Sequence, residues 1–168
     1  MQQIEYENKL RSLGCELLGK GLFSNVFSIP KTDKVIKVGR MDEWPTYIKW
    51  ATENGHAGKF APKVYSLKFY DTFYVAIMER LVCTVGEIQD QDGYYTNSLQ
   101  VQIYFTMGHE DCEASDFHSF VMELRHRRMS GDLHEGNVMV RHDGQLVITD
   151  PISGHGSSRF RIKSGVCL

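Results

Sequence analysis

The sequence predicts an α+β fold, with a small antiparallel β-sheet carrying one helix, followed by a reduced, partly helical C-terminal part. In residues 1–80, short apolar runs alternate with turn residues and are interrupted by one helical pattern. Further on, a second helical pattern precedes a short hairpin. A length of 168 residues with 42% hydrophobic residues fits one globular domain, so we expect residues 1–80 and 81–168 to form two lobes of a single domain.

The N-terminal part is predicted as a sheet from its local signals. From Cys15 to Val38, apolar pairs alternate with turn residues, which indicates a β-hairpin with a glycine-bearing first turn. Pro45 suits the first turn of a helix and Gly55 can end one, so we predict a helix over Pro45–Asn54. Its inward stripe is apolar: Tyr47, Ile48 and Ala51. Two further runs are predicted as strands: Val64–Leu67 and Phe73–Met78.

The C-terminal part begins with a stretch, Gln89–Tyr104, that has no clear period and receives no assignment. From Ser115, apolar side chains recur at helical spacing behind a capping residue, which predicts a helix of about four turns. These side chains are Phe117, Phe120, Val121 and Leu124. An Asp143-Gly144 turn between two apolar runs then predicts a hairpin. Its strands are Val138–Val140 and Leu146–Ile148.

The composition argues against several classes of protein. A formal net charge of −2 gives no bulk attraction to nucleic acid or anionic lipid. The N-terminus lacks the apolar core of a signal peptide, and no apolar run approaches the roughly 18 residues of a membrane span. We therefore expect a soluble, cytoplasmic protein without a membrane or nucleic-acid partner. The cysteines are scattered without a C-x-x-C pair, and we expect them to be reduced: Cys15, Cys83, Cys112 and Cys167.

The first predicted turn has a pattern typical of a phosphate-binding loop. Residues 19–26 read GKGLFSNV, which matches the protein-kinase loop G-x-G-x-x-G-x-V except that Ser24 replaces the third glycine. Glycine lets the backbone approach phosphate oxygens without obstruction by Cβ, and Ser24 adds a hydroxyl donor. The candidate nucleotide-binding residues here are Gly19, Gly21, Ser24 and Val26. An ordinary hairpin turn is the alternative.

Two further segments indicate contacts with a nucleotide. The run Val35–Val38 places Lys37 inside an apolar strand, as in the V-A-I-K pattern whose lysine holds the α- and β-phosphates. A buried lysine needs an anionic partner. The alternative is that Lys37 points outward from an edge strand. Where the last N-terminal strand ends, a candidate hinge for adenine is formed by Met78, Glu79 and Leu81.

The most specific signal is GDLHEGN at 131–137, followed by VITD at 147–150. Asp132 and Asn137 have the spacing of the kinase catalytic loop D-L-x-x-x-N. Such a carboxylate accepts or orients the proton of the acceptor hydroxyl, while Asn137 and Asp150 offer the oxygen ligands that Mg²⁺ prefers. His134 is a weaker catalytic candidate, with a structural histidine bonded to a loop carbonyl as the alternative. For the remaining residues, the alternative is that Asp132 and Asn137 shape a turn and that Asp150 caps one.

Taken in order, these segments resemble the serine/threonine protein kinase domain encoded early by short-tailed, T7-like bacteriophages. The likeness runs from Cys15 to Ser153 and is carried by CELLGKGLFSNVFS, VIKVGR, APKVY, GDLHEGNVMV and VITDPIS. It implies a minimal protein-kinase-like fold that uses ATP with Mg²⁺, or Mn²⁺, and phosphorylates host bacterial proteins in the host cytoplasm. It also implies a role for each motif residue: Gly19 and Gly21 in the phosphate loop, Lys37 pairing phosphates, Asp132 as base, and Asn137 and Asp150 as metal ligands.

Departures from the kinase pattern leave other functions open. Ser130-Gly131 replaces His-Arg, Asp150-Pro151-Ile152 replaces D-F-G, and no A-P-E follows. The G-D-x-H-x-x-N form also resembles aminoglycoside and choline phosphotransferases, so a small-molecule acceptor is the second enzyme hypothesis. A pseudokinase that inhibits a host protein by binding it is the non-catalytic hypothesis. The acidic partner of Lys37 is also open, with Glu43 and Glu53 as candidates.

Overall fold

The computed structural model describes residues 1–84, 112–133 and 135–152 of the chain. These residues form an α+β arrangement of three α-helices, one turn of 3-10 helix and eight strands in two sheets. They group into two units: the first holds Met1–Pro45 and Lys63–Arg80, and the second holds Thr46–Pro62 and the described residues from Leu81 onward. None of the described helices is long and apolar enough to cross a bilayer. The single domain with a lobe boundary at residue 80 stays a prediction.

The first unit is built on a five-stranded antiparallel sheet of order β1-β2-β3-β5-β4. Its strands are β1 (Leu17–Lys20), β2 (Ser24–Ser28), β3 (Lys34–Arg40), β4 (Val64–Phe69) and β5 (Phe73–Glu79). The predicted hairpin and both later strands are confirmed. The central strand is β3, which pairs with β2 on one side and β5 on the other.

A helix that the sequence analysis did not predict packs against this sheet. α1 (Gln3–Ser12) buries Glu7 and Leu10. The core that helix and sheet share is apolar: Leu10, Cys15, Phe27, Ile36, Val38, Phe73 and Val75, with Tyr6, Ile29, Tyr70 and Ile77 packed against it. Cys15 is a buried free thiol, as expected. The expectation of one helix in the N-terminal part is therefore wrong, because α1 buries a carboxylate that hydropathy assigns to the surface.

The second unit contains most of α2 (Trp44–Glu53), α3 (Cys112–His126) and a small antiparallel sheet. This sheet has the order β6-β7-β8, formed by β6 (Cys83–Thr84), β7 (Val138–Val140) and β8 (Leu146–Ile148). The predicted C-terminal hairpin is confirmed with its bounds. The α2 prediction holds to within a residue at each end, while α3 begins before the predicted Ser115.

Aromatic side chains form much of the second unit's core. The ring of Phe120 lies 5.6 Å from that of Phe60 and stacks on Trp50 at 5.8 Å. The predicted inward stripe of α2 is confirmed, because its three members are fully buried: Tyr47, Ile48 and Ala51. Ile148 N–H donates to the Phe60 carbonyl at 2.8 Å. This bond and the aromatic packing fix β8, the strand that leads to Asp150.

Candidate active site

The predicted phosphate loop is the turn between β1 and β2. Gly19 pairs with Val26 across the two strands, and Gly21 N–H donates to the Ser24 carbonyl at 2.7 Å. A Cβ on Gly21 would lie 3.2 Å from that carbonyl oxygen, so the tight turn favours glycine there. A Cβ on Gly19 would meet no atom within 4 Å. Of these two glycines, only Gly21 lies where a side chain would crowd the turn. The phosphate-binding role of these residues stays a prediction.

Lys37 is buried on the central strand of the first unit's sheet. It pairs with Val26 of β2 and Ala76 of β5, and side chains of cross-strand neighbours lie on the same face of a sheet. Lys37 is only 5% exposed. The alternative of an outward-pointing lysine on an edge strand is thereby excluded. The lysine shares its face with Val26, the last residue of the predicted phosphate loop.

The ammonium group of Lys37 lies over an indole ring. Its Nζ is 4.4 Å from the centroid of Trp44, a distance at which the face of the ring attracts a cation. Sequence analysis missed this tryptophan, which stands one residue before the predicted helix. Of the two candidate glutamates, Glu53 forms an exposed ion pair with Lys49 at 3.9 Å. Glu43 is half-buried and directly precedes α2.

The predicted catalytic loop is closed by hydrogen bonds between its own residues. Asn137 Nδ2 donates to the Asp132 carbonyl at 2.9 Å and to its carboxylate Oδ2 at 3.1 Å. One turn of 3-10 helix, Glu135–Asn137, brings the asparagine side chain back toward the aspartate. The structure thus brings Asp132 and Asn137 into direct contact, while His134 lies outside the described residues.

The same loop is bonded to the segment that carries Asp150. Asp132 N–H donates to the Pro151 carbonyl at 2.9 Å, and Thr149 N–H donates to the Asn137 carbonyl at 2.8 Å. The Thr149 hydroxyl donates to that carbonyl as well, at 3.1 Å. Because Asp150 stands between Thr149 and Pro151, its backbone is held against the loop from both sides. The three residues predicted for proton transfer and metal binding are therefore brought together.

A tyrosine of α2 also donates a hydrogen bond to β8, the strand that leads to Asp150. Tyr47 is fully buried, and its hydroxyl donates to the Ile148 carbonyl at 2.6 Å. Burial raises the pKa of Tyr47 well above its ordinary value, and the negative charge of Asp150 raises it further. The phenol therefore keeps its proton and its role as a donor. Sequence analysis placed Tyr47 in the core but missed this bond, whose partner is 101 residues away.

Two backbone N–H groups of the predicted hinge segment already donate hydrogen bonds within the protein. Met78 and Leu81 are buried. Glu79 N–H donates to the Lys63 carbonyl at 3.0 Å, and the Glu79 carboxylate accepts a hydrogen bond from Lys63 N–H at 2.7 Å. Arg80 N–H donates to a carbonyl in the turn between β2 and β3, also at 3.0 Å. Adenine binding at this segment stays a prediction, and it requires other backbone groups than these two N–H donors.

A comparison with protein-family models finds a match over nearly the whole chain. The model described as bacteriophage T7 protein kinase 0.7 matches residues 4–161. The chain belongs to this family of phage protein kinases. A search of curated proteins finds no match. The family resemblance seen in the motifs is therefore confirmed, and the matched span contains every candidate site residue.

Membership of the phage kinase family implies a nucleotide and a divalent metal. Among the described residues, no group of three or more His, Cys, Asp or Glu side chains is placed to hold a metal ion. Asn137 and Asp150 nevertheless offer amide and carboxylate oxygens, which are the ligand types that Mg²⁺ prefers. The amide nitrogen of Asn137 faces Asp132, so its oxygen is directed to the other side of the amide group. Nucleotide-bound Mg²⁺ needs only one or two protein ligands beside the phosphate oxygens, so these residues fit.

Proposed function

We propose that this member of the phage kinase family is an ATP-dependent serine/threonine protein kinase with a minimal protein-kinase-like fold. It transfers the γ-phosphate to hydroxyl groups of host proteins and thereby subverts host processes or defence. Family membership supports kinase activity. The observation that carries the proposal is the convergence of Asp132, Asn137 and the Thr149–Pro151 segment through direct hydrogen bonds. Turn shaping accounts for each bond singly, but it does not require a carboxylate, an amide and a second carboxylate at one place.

Each of these residues has a chemical role in the proposal. Asp132 accepts a hydrogen bond from the acceptor hydroxyl and takes its proton during transfer. Asn137 and Asp150 would hold Mg²⁺, which when bound neutralises charge on the phosphates. Lys37 binds the α- and β-phosphates, and the backbone of the turn at Gly21 lies over them.

The first test is phosphate transfer by the wild type and by Asp132→Asn. Each protein is incubated with labelled ATP, Mg²⁺ and a bacterial lysate, and labelled protein bands are compared. A general base contributes about 10²- to 10⁴-fold to a rate, so we expect labelling to fall by that factor in Asp132→Asn while ATP-Mg binding persists. We expect Asp150→Asn to lose both transfer and tight binding of ATP-Mg. Lys37→Ala should weaken nucleotide binding.

A matched control makes this loss specific. Asp71→Asn applies the same chemical change to an exposed turn between β4 and β5 and should leave labelling unchanged. Equal labelling by wild type and Asp132→Asn would overturn the proposal. No labelling by a wild type that binds ATP-Mg would favour a small-molecule acceptor. A host protein captured equally well by Asp132→Asn, without labelling by either protein, would favour the pseudokinase. Hydrolysis of the labelled bands should give phosphoserine or phosphothreonine, and phosphotyrosine would contradict the proposed specificity.

A further inference from the structure

The buried lysine of the first unit rests on a stack of two aromatic rings. Tyr74 and Trp44 lie nearly parallel, with an interplanar angle of 5° and centroids 5.3 Å apart. Both are buried, Trp44 to 1% exposure. The Lys37 ammonium lies over the Trp44 ring, at 4.4 Å from its centroid. Lysine and tyrosine thus both contact the indole.

The sheet has room for this stack because a glycine faces the tyrosine. Gly39 pairs with Tyr74 across β3 and β5, and it stands two residues after Lys37 on the same strand face. A Cβ on Gly39 would lie 2.3 Å from Tyr74 Cζ, far inside van der Waals contact. Any other residue at position 39 would displace the Tyr74 ring on which Trp44 rests.

The main chain of Trp44 is held by a hydrogen bond. Trp44 N–H donates to Asp42 Oδ1 at 3.0 Å, an Asx turn that sets the first residue of α2. Stacking on Tyr74 restricts the ring, and the hydrogen bond fixes the backbone from which the ring extends. A rigid ring of this kind defines the position of a cation that lies on it.

We infer that Trp44 is a positioning residue that holds the Lys37 ammonium in place for nucleotide phosphates. This inference rests on the proposed function, in which Lys37 binds those phosphates. Tryptophan is the aromatic side chain whose face attracts a cation most strongly, and the attraction grows where water is excluded. The indole brings no formal negative charge, so it orients the lysine without neutralising the charge that a phosphate needs.

The first arm of the test observes the contact without any activity. In protein labelled with ¹³C at lysine Cε, the ring current of the indole should shift the Lys37 Hε signals upfield, and Lys37→Arg identifies them. We expect Trp44→Leu to remove that shift and Trp44→Phe, which keeps a smaller ring, to retain part of it. Trp50→Leu is the matched control, because it truncates the chain's other tryptophan in the same helix. It should leave the Lys37 signal in place.

A second control uses lysines that lie over a different ring. Lys34 Nζ and Lys63 Nζ lie 4.4 Å and 5.5 Å from the centroid of Tyr65. Tyr65→Leu should move their signals and spare that of Lys37. A Lys37 signal that stays unchanged in a folded Trp44→Leu or Trp44→Phe protein would overturn the inference.

The second arm measures ATP-Mg affinity and kinetics. We expect Trp44→Leu to weaken binding and to lower kcat/KM about 30-fold, the scale of a desolvated cation–π contact, with Trp44→Phe in between. Tyr65→Leu, which removes an exposed ring, should change neither quantity. Wild-type affinity in both Trp44 variants would overturn the positioning role even if the NMR shift moves. If the wild type binds ATP-Mg but transfers no phosphate, the proposed function fails, while the affinity and the NMR signal still decide the role of Trp44.

Discussion

Replacing Tyr47 by phenylalanine removes one oxygen atom from the interior and keeps the ring that packs there. The hydroxyl is fully buried and donates to the Ile148 carbonyl at 2.6 Å. Ile148 N–H donates to Phe60, so both polar groups of this residue point toward the same side of β8. Without the hydroxyl, the carbonyl is left in a buried place without this donor. Such a loss costs about 1–3 kcal/mol of unfolding free energy.

The pH dependence of this loss has a definite sign. Burial and the charge of Asp150 raise the pKa of Tyr47 above its ordinary value of 10.0. The folded protein therefore keeps the phenol proton at a pH where the unfolded chain releases it. The stability from this group is fully present below pH 10.0 and is lost as pH rises toward the folded pKa. One proton gives a slope of about 1.4 kcal/mol per pH unit, and Tyr47→Phe lacks this contribution.

Urea unfolding of both proteins at neutral pH and above pH 10 measures the effect. We expect Tyr47→Phe to be less stable at neutral pH and the difference to shrink by about 1.4 kcal/mol per pH unit above 10. Burial also raises the pKa of Tyr6, but this group is common to both proteins and cancels. Tyr65→Phe, at an exposed tyrosine, is the matched control and should be nearly neutral. Equal stability of Tyr47→Phe and wild type, or a difference independent of pH, would refute the hydrogen bond and the raised pKa.

Two more predictions concern the first unit. Gly39→Ala should destabilise by about 1–3 kcal/mol through overpacking against Tyr74, and in a double-mutant cycle this cost should vanish when Tyr74→Val removes the ring; the same cost in both backgrounds would contradict the clash. Glu7 is 4% exposed, and both of its carboxylate oxygens accept from Asn25 Nδ2 at 3.0 Å. Glu7→Gln should therefore cost about 1.5–3 kcal/mol in urea unfolding, whereas the exposed Glu5→Gln should cost much less; similar losses would show that the buried carboxylate is replaceable.

Local pattern predicted the elements whose buried side chains are mostly apolar and missed the helix that buries a carboxylate beside Leu10. The strands have regular apolar runs. α2 has an apolar stripe, with a proline near its start and a glycine after its end. α1 instead buries Glu7, which is satisfied by Gln3 Nε2 at 2.8 Å and by Asn25. A hydropathy pattern assigns a carboxylate to the surface. Of the two amides that donate to Glu7, that of Gln3 lies one turn earlier in α1, whereas that of Asn25 lies on β2. Such a partnership is visible only once the sheet and helix are packed together.

The residues of the candidate site also differ in how well local sequence pattern predicts them. Asp132 and Asn137 are bonded across a single loop, so their sequence spacing already constrains their geometry. Tyr47 bonds a residue 101 positions away, and Trp44 stacks on Tyr74 of β5, so no spacing rule selects them. Lys37 is intermediate: its motif singled it out, but two orientations were open until β3 was found at the centre of the sheet. Sequence therefore predicts the residues that meet the substrate in the proposed function better than the residues that hold them in place.

An asparagine at position 137 meets two demands that a carboxylate cannot meet together. Its amide nitrogen donates to the Asp132 carboxylate at 3.1 Å, which fixes that side chain, and its oxygen is a ligand that Mg²⁺ accepts. Aspartate at this position would provide the oxygen but no donor, and it would set a second negative charge against Asp132. Two like charges at about 4 Å repel by about 4 kcal/mol at the effective dielectric of a protein surface. The amide therefore allows the proposed base and the proposed metal ligand to stand in contact, which explains why an amide rather than a third carboxylate completes this loop.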